Sequence, residues 1–363
     1  MANMTAATVN RSTLFPILQP VTGLARMAAE ATHVADGHEV EFRAMEVGSI
    51  LNKTVSRRQL RFGWSINPYR GCEFACRYCF ARYTHEFLAP KTAADGSDKG
   101  PDFHDPVLFE RLIYMKENAA WLLEQELRRH DPEEEIAIGT ATDPYQPIER
   151  TAGITRSLLE VFARRSGLRI GIITKSKLIE RDIDLLTEIA RRNKLVIHVT
   201  ITTPDPALAR LLEPRAPRPD LRFAAVRRLR EAGLTAGILC SPLLPGITDT
   251  REALDRMAAL AAAARASFFA ASPLFLKSCS RPTFLSFVRE HFPNLLRDYE
   301  TRFATNAFAT KTYQRQLALL VQQARRRHGL GRRSTDELAA GASDAARKEP
   351  TQCGAPDQAR LFA

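Results

Sequence analysis

Residues 169–202 read RIGIITKSKLIERDIDLLTEIARRNKLVIHVTIT. Two short β-branched runs, Arg169–Thr174 and Leu195–Thr202, flank a helical pattern over Ile179–Arg192. An apolar run of five to eight residues, then a helix, then another such run is the signature of a βα unit in a parallel sheet. The unit repeats on both sides. Upstream come Phe62–Ile66, a helix at Ala119–Arg129, EIAIGT at 135–140 and a helix at Ile154–Arg165. Downstream come helices at Pro206–Leu212 and Pro219–Ala232, LTAGILC at 234–240, a helix at Arg251–Ala264, and SFFAASPL at 267–274. Six strands of this kind make a partial barrel or an open wound sheet. Leu112–Met115 is a further strand candidate that the pattern leaves open, and Arg281–Arg327 reads as mainly helical.

In such folds the chemistry gathers at the C-terminal strand ends. Polar residues stand there in turn: Arg70–Cys79, Thr142 and Asp143, Lys175 and Ser176, Thr202 and Thr203, Ser241, then Lys277 and Ser278. Outside the core, residues 1–60 read as a partly disordered N-terminal extension, with a strand or two within Val40–Leu51. Residues 61–280 form the core, 281–331 a helical segment, and 332–363 a disordered tail of low apolar density. Leu88–Asp105 is rich in Gly, Asp, Lys and Pro and reads as a loop.

The 363 residues are 45% hydrophobic and 26% charged, the balance of a globular protein that needs no disulfide staples. No apolar run approaches the roughly 18 residues of a membrane helix, and Leu14–Ala25, broken by Pro16 and Pro20, is a poor signal peptide. A cytoplasmic location is therefore expected. The net charge of +11 favours polyanionic partners, nucleic acid first.

Three of the six cysteines fall within eight positions, in Asn67-Pro-Tyr-Arg-Gly-Cys72-Glu-Phe-Ala-Cys76-Arg-Tyr-Cys79-Phe80. A tight cluster of this kind reads as a metal site. Thiolates at C-x3-C-x2-C spacing suit an iron–sulfur cluster. Zinc is the rival and wants four ligands, with His85 the nearest to close the set. Three ligands on a four-iron cube leave one iron open to substrate.

C-x3-C-x-Tyr-C on the loop after the first strand resembles the radical S-adenosylmethionine (SAM) superfamily. The resemblance spans about Phe62 to Leu274. It implies a partial (β/α)6 TIM-like barrel in an α/β chain, with a [4Fe-4S] cluster on Cys72, Cys76 and Cys79. It further implies SAM chelated to the open iron and cleaved reductively to methionine and a 5′-deoxyadenosyl radical. Within the superfamily the branch most similar is spore photoproduct lyase and its photolyase-named relatives. The stretches that carry this are Asn67–Cys72, Thr142-Asp-Pro-Tyr-Gln-Pro-Ile-Glu149, Ile173–Ser176, Thr200–Thr203, Leu212-Glu-Pro-Arg215 and Ser241-Pro-Leu-Leu-Pro-Gly246.

By that resemblance Tyr78, Lys175, Thr200, Thr202 and Ser241 lie near SAM, with Lys175 a partner for its carboxylate. The family's Gly-Gly-Glu turn is absent, and the chain reads Gly139-Thr-Ala-Thr-Asp143, which makes Asp143 the substitute acid. The hydrogen-donor cysteine of spore photoproduct lyase has no counterpart in that region. Asp143, Tyr145 and Cys279 are the candidate catalytic residues. Cys279 is the better thiol, since Cys240 reads as a buried small hydrophobe and Cys353 lies in the tail.

His198 reads as an interior histidine, Trp64, Phe80, Tyr83 and Phe87 as core or cluster shielding, and Arg325–Arg327 with Arg332 and Arg333 as a basic helix end. The expected partners are an external one-electron reductant of flavodoxin or ferredoxin type and a substrate for which nucleic acid leads, with a C–C lyase on damaged DNA one version and modification of an RNA or a protein another. The reading from a different class is a non-enzymatic zinc- or cluster-stabilised nucleic-acid-binding protein.

Overall fold

The computed structural model describes residues 22–37, 39–54, 63–89 and 101–333. The expected tail beyond Arg333, and most of the loop between Leu88 and Asp105, lie outside the described residues. Eleven strands run in chain order: β1 (Thr32–Gly37), β2 (Val40–Met45), β3 (Asn52–Lys53), β4 (Trp64–Ile66), β5 (Tyr69–Arg70), β6 (Leu112–Lys116), β7 (Glu135–Ile138), β8 (Arg169–Thr174), β9 (Lys194–Thr200), β10 (Ala236–Leu243) and β11 (Phe269–Pro273).

They form two mixed sheets. The larger has the order β11-β10-β9-β8-β7-β4-β3, the smaller β1-β2-β6-β5. From β4 to β11 every neighbouring pair of the larger sheet is parallel, and β3 joins antiparallel at the edge. Six parallel strands thus appear where the sequence repeats its βα unit. Leu112–Met115 is a strand, but of the second sheet: β6 runs parallel to β2 and antiparallel to β5.

The register explains why these runs fold together. Ile66 faces Ile138, which faces Ile172, then Ile197, then Ala236, one row across five strands. All five are fully buried. Burial of an isoleucine side chain contributes about 1.5–3 kcal/mol, so the row is a main source of sheet stability. Helices Ala119–Glu126, Ile154–Ala163 and Ile183–Arg192 pack side by side against it. The helix expected from Ile179 begins instead as a 3-10 turn over Lys177–Asp182, where Ser176 Oγ accepts from Leu178 N–H.

The N-terminal region expected to be partly disordered contributes the helix Gly23–Ala29 and β1–β3 among the described residues. At the other end, the helix Lys311–Arg327 packs on Arg251–Ala263 and along β11. No described helix is long and apolar enough to cross a membrane.

Candidate active site

The cysteine loop follows β5 and is stitched to distant segments. Gly71 opens it at φ +91°, where a side-chain Cβ would come within 2.8 Å of the Leu112 carbonyl oxygen. Cys72 N–H then donates to the Phe109 carbonyl (3.0 Å) and Arg77 N–H to the Leu212 carbonyl (2.9 Å). Glu73 N–H donates to Gln146 Oε1 at 2.9 Å. The buried Arg82 guanidinium holds the Cys76 carbonyl at 3.1 Å and pairs with Glu110 at 2.5 Å.

Cys72, Cys76 and Cys79 all line one cavity of about 250 Å³ at the strand ends. Burial pushes the Cys76 thiol up to about 12, with Lys175 opposing it, and raises Cys72 well above the ordinary thiol range. Such thiols stay protonated until a metal takes the proton's place. Among the described residues no three His, Cys, Asp or Glu side chains gather tightly enough to hold a single ion. His85 is turned away: its Nε2 pairs with the Leu112 carbonyl at 3.0 Å, and its ring packs against Phe109 and Tyr114. The donor set is three thiols lining one cavity, with His85 outside it. That set fits a multi-metal cluster better than a four-coordinate ion.

Opposite the thiols the same cavity is lined by Asp143, Lys175, Thr200 and Ser241. Gly139, at φ +86°, lets the chain after β7 turn sharply, since a Cβ there would lie 2.4 Å from the Ile173 carbonyl oxygen. The turn brings Asp143 beneath the end of β8. Its carboxylate accepts from Thr174 Oγ1 (2.7 Å), Lys175 N–H (2.7 Å) and Tyr145 N–H (2.9 Å). Burial raises its pKa, and these donors restrain the rise.

Burial lowers the Lys175 pKa, but Cys76, Glu213 and Asp143 together outweigh it, so its net shift is upward and it stays an ammonium. Its Nζ stands 5.8 Å from the centre of the Tyr78 ring. The Tyr78 hydroxyl donates to Glu213 and lies 3.0 Å from Thr202 Oγ1, which also donates to Glu213 at 2.9 Å. Glu213 in turn forms an ion pair with Arg222, both side chains 1% exposed. Burial raises the Glu213 pKa, but Arg222, Lys175 and Tyr78 outweigh it and hold it below the usual carboxylate range.

Cys72, Cys76, Cys79, Tyr78, Asp143, Lys175, Thr200 and Ser241 therefore meet at one cavity. Thr202 is buried just beneath it, in the network of Tyr78. Tyr145 is not in that cavity. The turn at Pro144 sends it to the opposite side, where it lines a separate hollow with Arg150, Lys177 and Arg215. Cys279 is not in the lining either; it is half-buried behind Phe80, with Sγ 3.8 Å from the Phe80 carbonyl.

Cys240 and His198 are buried, the latter against Phe268. Of the basic helix end, Arg327 pairs with Asp255 at 2.8 Å, while Arg333 reaches the thiol cavity. Phe80 lines that cavity and packs on Phe275, Tyr83 lies under the Lys277 ammonium, and Phe87 is exposed. The roles of the Glu213–Arg222 pair and of Gln146 are not legible in the sequence, although Glu213 and Gln146 lie inside the quoted stretches Leu212–Arg215 and Thr142–Glu149.

The model of the Radical SAM superfamily matches residues 66–258. The Mycobacterium tuberculosis protein Rv2578c is 33% identical over 279 residues, 77% of this chain and 78% of that protein. The Methanocaldococcus jannaschii protein MJ0683 is 27% identical over 184 residues, 51% of this chain and 61% of its own. Among solved structures, a cysteine-to-serine variant of spore photoproduct lyase superposes with a TM-score of 0.57 at 15% identity, covering 86% of this chain and 85% of that one. A second variant of that lyase, with bound AdoMet and dinucleoside spore photoproduct, gives a TM-score of 0.53 at 14% identity, over 75% of this chain and 78% of that one. At these identities the likeness is one of fold.

Proposed function

The chain belongs to the radical SAM superfamily, and from that premise we propose that Cys72, Cys76 and Cys79 hold a [4Fe-4S] cluster beside a SAM site and that the substrate is a nucleic acid. The observation that carries this reading is the single cavity shared by the three thiols, Lys175 and Asp143. When bound, the cluster supplies one electron to SAM, whose cleavage gives methionine and a 5′-deoxyadenosyl radical.

The chain's own residues bind and orient. Lys175, buried and held charged by its neighbours, is the cation for the SAM carboxylate. Thr200 and Ser241, at the ends of β9 and within β10, offer hydroxyls to the nucleoside half. Tyr78, tied to Glu213 and Thr202, keeps a fixed ring wall. Asp143 is a positioning residue here: three donors already occupy its carboxylate, and it sets the end of β8 from which Lys175 projects. The six parallel strands are read as a partial (β/α)6 barrel that closes water out of the site.

The net charge of +11 and the dinucleoside bound by the structurally similar lyase support the choice of substrate class. The reductant is an external one-electron donor of flavodoxin or ferredoxin type. The position of His85, away from the thiols, counts against a closed zinc site.

The test is anaerobic reconstitution with iron and sulfide, addition of SAM and dithionite, and quantification of 5′-deoxyadenosine. Wild type is expected to produce it, and Cys76→Ala to lose it while keeping its far-ultraviolet dichroism. A properly formed four-iron cluster without product, or full activity in Cys76→Ala, would overturn the reading.

A further inference from the structure

A second cavity, larger than the one that holds the thiols, opens elsewhere in the molecule. It measures about 480 Å³ and is lined by β5, the end of β6 at Lys116, Thr84–Ala89 and the start of the helix Gly23–Ala29. β5 pairs with β6 antiparallel, Arg70 opposite Tyr114, and Lys116 N–H donates to the Pro68 carbonyl at 3.1 Å. Side chains alternate along strands, so Arg70 and Lys116 project from the same face of this pair. Both line the cavity.

Among the described residues no carboxylate comes within ion-pair distance of Arg70 or Lys116. The Arg70 guanidinium donates once, from Nη1 to the Thr84 carbonyl at 2.5 Å, and its Nε is buried without a partner. Lys116 is 6% exposed. The nearest carboxylate to influence it, Glu126, is engaged by Ile50 N–H and Leu51 N–H. Glu86 is the one acid in the described lining, against Arg70, Lys116 and Lys53. Lys116 is buried and Arg70 half-buried, and two like charges side by side without an anion are unfavourable, a cost that a bound anion would relieve.

The cavity also adjoins the thiol site. Ala141 lines both, and its N–H is held by Asn67 Oδ1 at 2.8 Å. A substrate reaching the thiol cavity past Ala141 would leave its neighbouring group beside Arg70 and Lys116.

We propose that this second cavity is an anion subsite in which Arg70 and Lys116 bind a phosphodiester group of the substrate. A planar guanidinium fork with a flanking ammonium matches a tetrahedral oxyanion, and an adjoining base or sugar then lies toward the thiols. The proposal rests on the nucleic-acid reading above and sharpens it to a contact.

The experiment uses the reconstituted protein, with inorganic phosphate, thymidylyl-thymidine and acetate as probes in calorimetric titration. Wild type is expected to bind thymidylyl-thymidine more tightly than phosphate, and acetate least. Lys116→Met and Arg70→Gln should each weaken the dinucleotide by about tenfold or more, the scale of one lost charge-assisted contact. A melting-temperature series with phosphate gives a second readout: wild type should be stabilised and Lys116→Met should not respond.

Equal dinucleotide affinity in wild type and both variants would overturn the subsite. Binding confined to inorganic phosphate would overturn the phosphodiester assignment. Because no radical step is read, this failure is separable from that of the proposed function: 5′-deoxyadenosine formed by wild type without dinucleotide binding removes only the subsite.

Discussion

The buried pair Glu213–Arg222 gives the sharpest quantitative test of how the site is held. In Glu213→Gln the amide oxygen can still accept from Tyr78 and Thr202, so the shape of the network survives. What changes is charge: an amide N–H2 replaces the oxygen that faces Arg222, donor against donor. With both side chains 1% exposed, the Arg222 cation reaches no water in compensation. Arg222 also donates to the Thr200 carbonyl at 3.1 Å and the Pro217 carbonyl at 2.7 Å, which keep it in place. Removing one partner of such a pair destabilises by about 3–5 kcal/mol.

Urea unfolding of the two proteins, compared at matched m-values, reads this directly. The double variant Glu213→Gln/Arg222→Met should recover most of the loss, because the stranded charge is gone. The pH dependence has a defined sign. The Glu213 pKa is depressed in the fold, so its contribution is fully present above the ordinary glutamate value of about 4.3 and is lost as pH falls through the lower folded value. Glu213→Gln should lack that acid limb. A loss below about 1 kcal/mol, the level of an exposed pair, would refute the assignment of Glu213 as the counter-charge of this site.

Three further outcomes are expected. Gly139→Ala should destabilise by at least about 2 kcal/mol in urea, from positive φ combined with a 2.4 Å contact to the Ile173 carbonyl oxygen. Asp143→Asn should lose about 1–3 kcal/mol by the same assay, because an amide N–H2 cannot accept from Lys175 N–H. Burial, with Arg70 second, pushes the Lys116 pKa down to about 7. An unfolded lysine titrates near about 10.4, so the unfolded chain binds more protons between these values and stability rises with pH across them. In phosphate-free buffer Lys116→Met should lack that rise; parallel curves for the two proteins would show that Lys116 is not a buried charge.

The parallel strands were legible because they are short apolar runs, most of them rich in β-branched residues, and a register row of four isoleucines and Ala236 joins five of the six. β6 was not, since its partners are β2 and β5, and nothing local distinguishes a strand of the small sheet from one of the large. The cysteine loop was legible because its spacing is local. Asp143 and Tyr145 show where the strand-end rule stops. It predicts which end of the sheet a residue occupies, but a proline turn between them sends one side chain into the thiol cavity and the other away. Glu213 could not be read from its neighbours, because its meaning comes from Tyr78, 135 positions earlier in the chain. Arg70 and Lys116 are likewise brought together only by the pairing of β5 with β6.

The stitching of the cysteine loop bears on how the protein would weather oxygen. Four hydrogen bonds to the loop backbone, from the Phe109, Leu212 and Arg215 main chain and the Gln146 side chain, hold the loop from outside itself, and none of them passes through a thiol. The peptide frame around Cys72, Cys76 and Cys79 is thus set by protein contacts alone. A cluster destroyed by oxidation would leave behind a folded receptacle rather than a collapsed segment. On the proposed reading, oxygen damage at this centre would call for refilling the loop rather than for a new polypeptide.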